Sequence, residues 1–221
     1  MSNSKSPKVL EFTSSELSHK IDLMFVFERP TADNLHVNGF PVCWKVVSFS
    51  ATGVTAATID YTGNTGLFVP QTQSGHHVSA YGWQHCEVGQ KCTLKTDDQN
   101  QDYLTHAVDD ISGIIQCVNE TDHLAIVGLL TTLFQGLLHG LGSRIEPIFV
   151  WEGIVPDSTL SFPFTPVLKI YATSNYKAGE LIRGDIPYPA LFEADLNTLL
   201  PFTSWKLLYD PATGEIKIEA A

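Results

Sequence analysis

The sequence predicts a mainly β protein: an antiparallel β-sandwich of two packed sheets, with one or two short helices near 131–141 and 190–200. Three observations carry this. Short runs of β-branched and aromatic residues recur at intervals of about eight to twelve residues, divided by Gly, Pro, Asn and Asp clusters, the spacing of sandwich strands. Several runs alternate with period two. In the stretch 145–173, Leu160, Phe162 and Phe164 share one face and Ser161, Pro163 and Thr165 the other. Helical periodicity is confined to two short places.

In chain order, Met1–Pro7 reads as a disordered arm, and 8–221 as a single sandwich domain, with no repeat or linker dividing it. Val9–Phe12 is a short strand. Ile21–Phe27 is apolar on both faces, which suits a central strand, and 29–39 is a polar loop. Trp44–Ser50 and Val54–Tyr61 flank the turn Ala51-Thr52-Gly53 as a hairpin, followed by a short strand at Leu67–Val69. His77–His85, Lys91–Thr96 and Ile114–Asn119 are further strands around polar turns. Leu124–Leu130 fits a buried strand. From Thr131 the apolar residues Leu133, Phe134, Leu137, Leu138 and Leu141 recur at three and four, the spacing of an amphipathic helix. Ile148–Trp151 and Val167–Thr173 flank the alternating Leu160 run. Pro189 suits a first helical position, and Leu191, Phe192, Leu196, Leu199 and Leu200 then line one helical face. Trp205–Tyr209 and Glu215–Glu219 form a closing hairpin.

Composition narrows the function classes. The 221 residues are 43% hydrophobic and 17% charged, enough apolar material for a sizeable core. The net charge is −11, from 13 Lys and Arg against 24 Asp and Glu. Nucleic acid or an anionic membrane needs clustered positive charge, so neither is expected as an electrostatic partner. No apolar segment follows the opening residues, so an unexported, cytoplasmic protein is expected. Cys43, Cys86, Cys92 and Cys117 lack a disulfide-framework spacing and read as buried free thiols, with a Cys86–Cys92 bridge as the alternative. Arg183-Gly184-Asp185 copies an adhesion tripeptide, and its plain reading is a glycine turn with flanking charges.

Two stretches carry candidate chemistry. If His77–His85 is one regular strand, His77, Ser79, Tyr81, Trp83 and His85 share a face. A face both aromatic and polar can stack a sugar ring and bond its hydroxyls, or it can be a half-packed sheet surface. The same stretch offers His76, His77 and His85 as metal ligands, although adjacent His76 and His77 point opposite ways and the spacing matches no zinc motif. Leu133, Phe134, Leu137 and Leu138, within 124–141, are the candidate lipid or pocket residues, with a core role as the plain reading. No Gly-x-Ser-x-Gly and no phosphate loop occurs, so nucleophilic catalysis gets no support.

The runs Trp44–Phe49, Ala57–Thr62, Phe164–Ser174, Ile182–Gly184 and Thr203–Leu207 resemble a group of uncharacterised proteins from mushroom-forming fungi. The resemblance implies a fungal source and a fruiting-body setting, where unexported β-rich lectins and toxins are common. It brings no catalytic residues. The favoured reading is a soluble sandwich binding protein of lectin-like kind, for a neutral glycan or a small hydrophobic ligand, without a cofactor. One alternative is a pore-forming or lipid-binding defence protein using 124–141. The other is a metal-dependent enzyme centred on His77 and His85.

Overall fold

The computed structural model describes residues 7–30, 37–73, 76–133, 144–173 and 175–221. The strands β1 (Lys8–Ser15) and β2 (Ile21–Phe27) lead into β3 (Asn38–Pro41), β4 (Lys45–Phe49) and β5 (Val54–Tyr61). The middle of the chain supplies β6 (Thr65–Gln73), β7 (His77–His85), β8 (Gln90–Thr96), β9 (Asp102–Leu104), β10 (Val108–Asp109), β11 (Ile115–Asn119), β12 (Ala125–Leu133), β13 (Arg144–Ile154) and β14 (Thr159–Phe162). The chain closes with β15 (Val167–Ala172), β16 (Phe192–Asp195), β17 (Phe202–Asp210) and β18 (Glu215–Ala220).

The all-β, sandwich-like class is as the alternation predicts, but the strands form four sheets rather than two. Sheet I runs β18-β17-β1-β5 and sheet II β16-β15-β2-β4. Sheet III runs β3-β13-β12-β6-β7; in sheet IV, β8 lies between β11 and the short strands β9 and β10, with β14 beyond β11. Pairing is antiparallel except at β1–β17 and β8–β11, which are parallel. Apart from β3, the ends of the chain build sheets I and II and its middle builds sheets III and IV.

Aromatic side chains show how the sheets face one another. Phe12 of sheet I meets Phe25 of sheet II edge to face at 5.4 Å, and Phe192 of sheet II meets Trp205 of sheet I at 4.7 Å. In the middle pair, Trp151 stacks on Phe162 at 4.4 Å. Such pairs contribute about 0.5–1.5 kcal/mol beyond the area they bury. The alternating run therefore divides its work: Leu160 and Phe162 fill the middle core, while Phe164 reaches Phe27 at 6.2 Å. One continuous buried cluster spans both pairs. A buried carboxylate also ties them. Glu146 on β13 accepts from Trp44 Nε1 at 2.7 Å and pairs with Lys45 Nζ at 2.8 Å and Arg144 Nε at 3.0 Å.

Neither expected helix is found among the described residues. At 190–200, Phe192–Asp195 is the strand β16, paired with Val167–Ile170. A helix there would leave the margin of β15 with unpaired backbone groups, and pairing outweighs a weak helical propensity. Leu196 is then fully buried while Leu200 is 72% exposed, so the two do not share a face. Asp195 ends the strand by accepting from the Asn197 N–H. At the other place, Thr131, Thr132 and Leu133 continue β12 opposite Glu146, Ile145 and Arg144. The rest of that expected helix, 134–141, lies outside the described residues.

Candidate functional site

The His77–His85 strand forms with the expected limits, but it is not regular. Phe68 pairs with Trp83, and Val69 with Tyr81, so Gly82 is an extra residue without a partner. Its φ of +46° is one that glycine adopts freely. Phe68 and Val69 are neighbours and point to opposite faces, so their partners Trp83 and Tyr81 do too. The bulge therefore splits the expected five-residue face. Val78, Ala80 and Trp83 pack with Phe68 on the outer side of sheet III. Tyr81 and Gln84 turn toward sheet IV, where the Tyr81 hydroxyl donates to Gln101 Oε1 at 3.2 Å and His106 Nδ1 donates to Gln84 Oε1 at 3.0 Å. A Cβ on Gly128 would collide with the Phe68 ring, so β12 needs glycine there for β6 to close against it.

The other members of the expected face lie apart. Ser79 Oγ donates to the Gln71 carbonyl. The His77 ring sits on Gly179, and its strand edge is held by Val78 N–H to Gly179 O and Leu181 N–H to His76 O, both 2.8 Å. His85 Nε2 faces Glu87 Oε1 at 3.3 Å in solvent. His77 and His85 stand at opposite ends of the strand, roughly 25 Å apart at about 3.3 Å per residue. His76, His77 and His85 thus do not converge. No group of three His, Cys, Asp or Glu side chains suited to a metal ion occurs among the described residues.

Tyr81 instead opens onto a pocket of about 370 Å³ lined by Val69, Gln71, Tyr81, Asn100, Gln101, Asp102 and His123. The β8–β9 hairpin brings three of these. Asp97 Oδ1 accepts the N–H groups of Gln99 and Gln101 at 2.8 and 2.9 Å, which folds the tip, and Asn100 sits there at φ +59°. One wall is a chain of hydrogen-bonded side chains. Asp102 accepts from Thr96 Oγ1 at 2.9 Å and from His123 Nε2 at 2.9 Å, while His123 Nδ1 donates to Asp122 at 3.1 Å. Those hydrogen bonds, to Asp102 first and then Asp122, raise the His123 pKa above its ordinary 6.5. The Tyr81 ring is 48% exposed. Among the described residues, the Gln71 and Asn100 side-chain amides have no hydrogen-bond partner. The described lining offers hydrogen-bonding amides, a phenol and a carboxylate–imidazole pair.

Composition alone points to Asp97–Asp102 only as a solvated loop. The signal for the pocket was the turn chemistry of Asp97 together with the lone Gly82 inside a strand pattern, which marks a bulge.

The candidate lipid residues separate as well. Leu133 ends β12 half-buried, and Phe134, Leu137 and Leu138 lie outside the described residues. Ala125–Leu133 is a central strand of sheet III, with Leu129 and Leu130 fully buried. No helix among the described residues is long and apolar enough to cross a membrane. The four cysteines are unbridged and buried. Cys86 donates to Cys92; that bond first, and then burial, push the Cys86 thiol up, while the same bond pulls Cys92 down against the opposing effect of its burial, and burial pushes Cys117 up to about 12. Arg183 is held in a two-point contact with Glu152, at 2.7 and 3.4 Å, and lies over the Phe40 ring, so the adhesion-like tripeptide does not present a free guanidinium.

No protein-family model, curated protein or solved structure matches this chain.

Proposed function

We propose that this chain is a binding module for a neutral polyhydroxylated ligand, a glycan, held in the Tyr81 pocket. One observation carries the reading: two amides without a hydrogen-bond partner among the described residues, Gln71 and Asn100, line one pocket with a half-exposed phenol ring that is anchored to Gln101. Amides donate to and accept from sugar hydroxyls, and an aromatic ring covers the apolar face of a pyranose. The pocket volume lies within the range of small-ligand sites. Asp102 and His123 hold the wall and are paired with each other, with Asp122 on the far side of the imidazole, so no unpaired cation among the described lining residues is offered to an anionic ligand. A fungal, cytoplasmic lectin is the form this reading takes.

A glycan array probed with the full chain tests it, followed by titration calorimetry on the best responder. Tyr81→Ala removes the stacking ring and lowers affinity at least tenfold, a loss of about 1.4 kcal/mol. Trp83→Ala leaves affinity unchanged because Trp83 points to the other side of the sheet. A silent array, or a response that follows Trp83 rather than Tyr81, overturns the proposal.

A further inference from the structure

We infer that the open margin between sheets I and II is a second binding site, taking an uncharged apolar small molecule, and that it works independently of the Tyr81 pocket. The two sheets do not end together. In sheet I, β17 is followed by a further strand, β18. In sheet II the margin strand β16 spans only four residues, and its Phe192 packs on Trp205 of β17 and on Phe12 of β1. β18 therefore overhangs. Its alternation directs Ile216 and Ile218 inward, beside Tyr209 and Leu207 of the neighbouring strand, but no strand among the described residues lies opposite them.

The result is a cavity of about 660 Å³. Ile216 and Ile218 form one wall, and Tyr188, Pro189, Ala190 and Leu191 the other, with Ala172 at the back. A smaller recess of about 180 Å³, reaching His19 and Asp22, shares Ala172 and Ile216 with it. This size is that of small-molecule sites, and predominantly apolar walls are their usual lining.

The rim selects the occupant by charge. Glu215, Lys217 and Glu219 alternate along β18, which discourages addition of another strand to its free edge. Both lysines beside the cavity are already committed: Lys217 to Glu215 at 3.0 Å, and Lys20 in the recess to Asp22 at 2.9 Å. Neither lysine among the described lining residues is left unpaired to receive a carboxylate or phosphate head, and the His19 ring in the recess packs edge to face on Tyr209 at 4.6 Å, while Glu219 contributes further negative charge. A fatty-acid anion is disfavoured on this rim, and an uncharged ring system or chain is favoured.

Nile red, which is uncharged, and parinaric acid, an anionic fatty acid, distinguish the cases in fluorescence titrations of the full chain. Nile red binds saturably with a blue shift, and parinaric acid at least tenfold more weakly. Ala190→Trp fills the cavity from an exposed position and lowers Nile red affinity at least tenfold. Ile216→Ser removes an apolar wall and does the same, which keeps the test decisive if one variant folds poorly. Glu215→Gln with Glu219→Gln narrows the gap between the probes. Tyr81→Ala leaves Nile red binding unchanged, so loss of the glycan site and loss of this site read out separately. Absence of saturable Nile red binding, binding indifferent to both cavity variants, or parinaric acid binding as well as Nile red overturns the inference.

Discussion

The terminal and middle sheet pairs face the same task, closing two twisted sheets over an apolar interior, and they leave different openings. The terminal pair packs aromatic rings edge to face and remains open where β18 overhangs β16, so the opening is apolar. The middle pair packs Trp151 on Phe162 beside the Cys86, Cys92 and Cys117 thiols and is closed at its core. Its opening is polar because the Gly82 bulge turns Tyr81 toward the Asp97–Gln101 hairpin tip. A missing strand exposes what sheets normally bury, whereas a bulge re-aims side chains that would otherwise line a flat face. The two pockets thus differ in chemistry because they arise from different departures from regular pairing.

The comparison first depends on whether the two pairs share one core. Trp151→Ala in the middle pair and Phe12→Ala in the terminal pair should each cost about 3–5 kcal/mol. Because one cluster joins the pairs, either change should lower a single thermal transition seen by both near-ultraviolet dichroism and calorimetry. Two separable transitions in either variant would divide the molecule into independent halves.

The Glu146 tie is the next test. Glu146→Ala leaves the Lys45 ammonium and the Trp44 indole without their partner, at a cost of about 3 kcal/mol, since removing one member of a buried pair strands the other. Trp44→Phe keeps the ion pairs and loses one hydrogen bond, about 1 kcal/mol. Equal effects of the two variants in urea melts would show that the carboxylate contributes little beyond accepting from the indole.

A smaller change is expected at the bulge. Gly82→Val meets no steric obstruction, since nothing surrounds the position, but it forces a β-branched residue to φ +46°, costing about 1–2 kcal/mol. Glycan binding should weaken with it, while Nile red binding in the terminal cleft stays as it was. A variant that binds both ligands normally would remove the bulge from the account of the polar pocket.

The smallest effect is the pH dependence of His123. Its pKa is ordinary in the unfolded chain and raised in the folded one, so folding binds the proton more tightly. That contribution is complete below pH 6.5, declines as pH rises past 6.5, and is gone once pH passes the raised folded value. The difference in Tm between the protein and His123→Gln should therefore shrink with rising pH. The side chain is largely solvated, so added salt should shrink the difference as well. A difference that grew toward alkaline pH would contradict the pairing with Asp102 and Asp122.

Some of this was legible in the residues alone. The strands at Ile21–Phe27, Val54–Tyr61 and His77–His85, and the inward Leu160 and Phe162, follow from period-two alternation, which is a local property of the backbone. The buried free thiols were legible from a different cue, the lack of a disulfide-framework spacing among the four cysteines. Leu191–Leu200 shows the limit: its helical spacing is real, yet the open edge of β15 claims Phe192–Asp195 as a strand. Gly82 shows another. As a single residue it reads as a gap in a pattern, and only the cross-strand partners Phe68 and Val69 reveal that it reverses the faces of Trp83 and Tyr81. The polar pocket joins Tyr81 to residues around 100 and to His123, and the apolar cleft joins Leu191 to Ile216. Such pairings depend on which strands lie side by side, and that is settled by long-range hydrogen bonding and core packing rather than by the local alternation that places each strand.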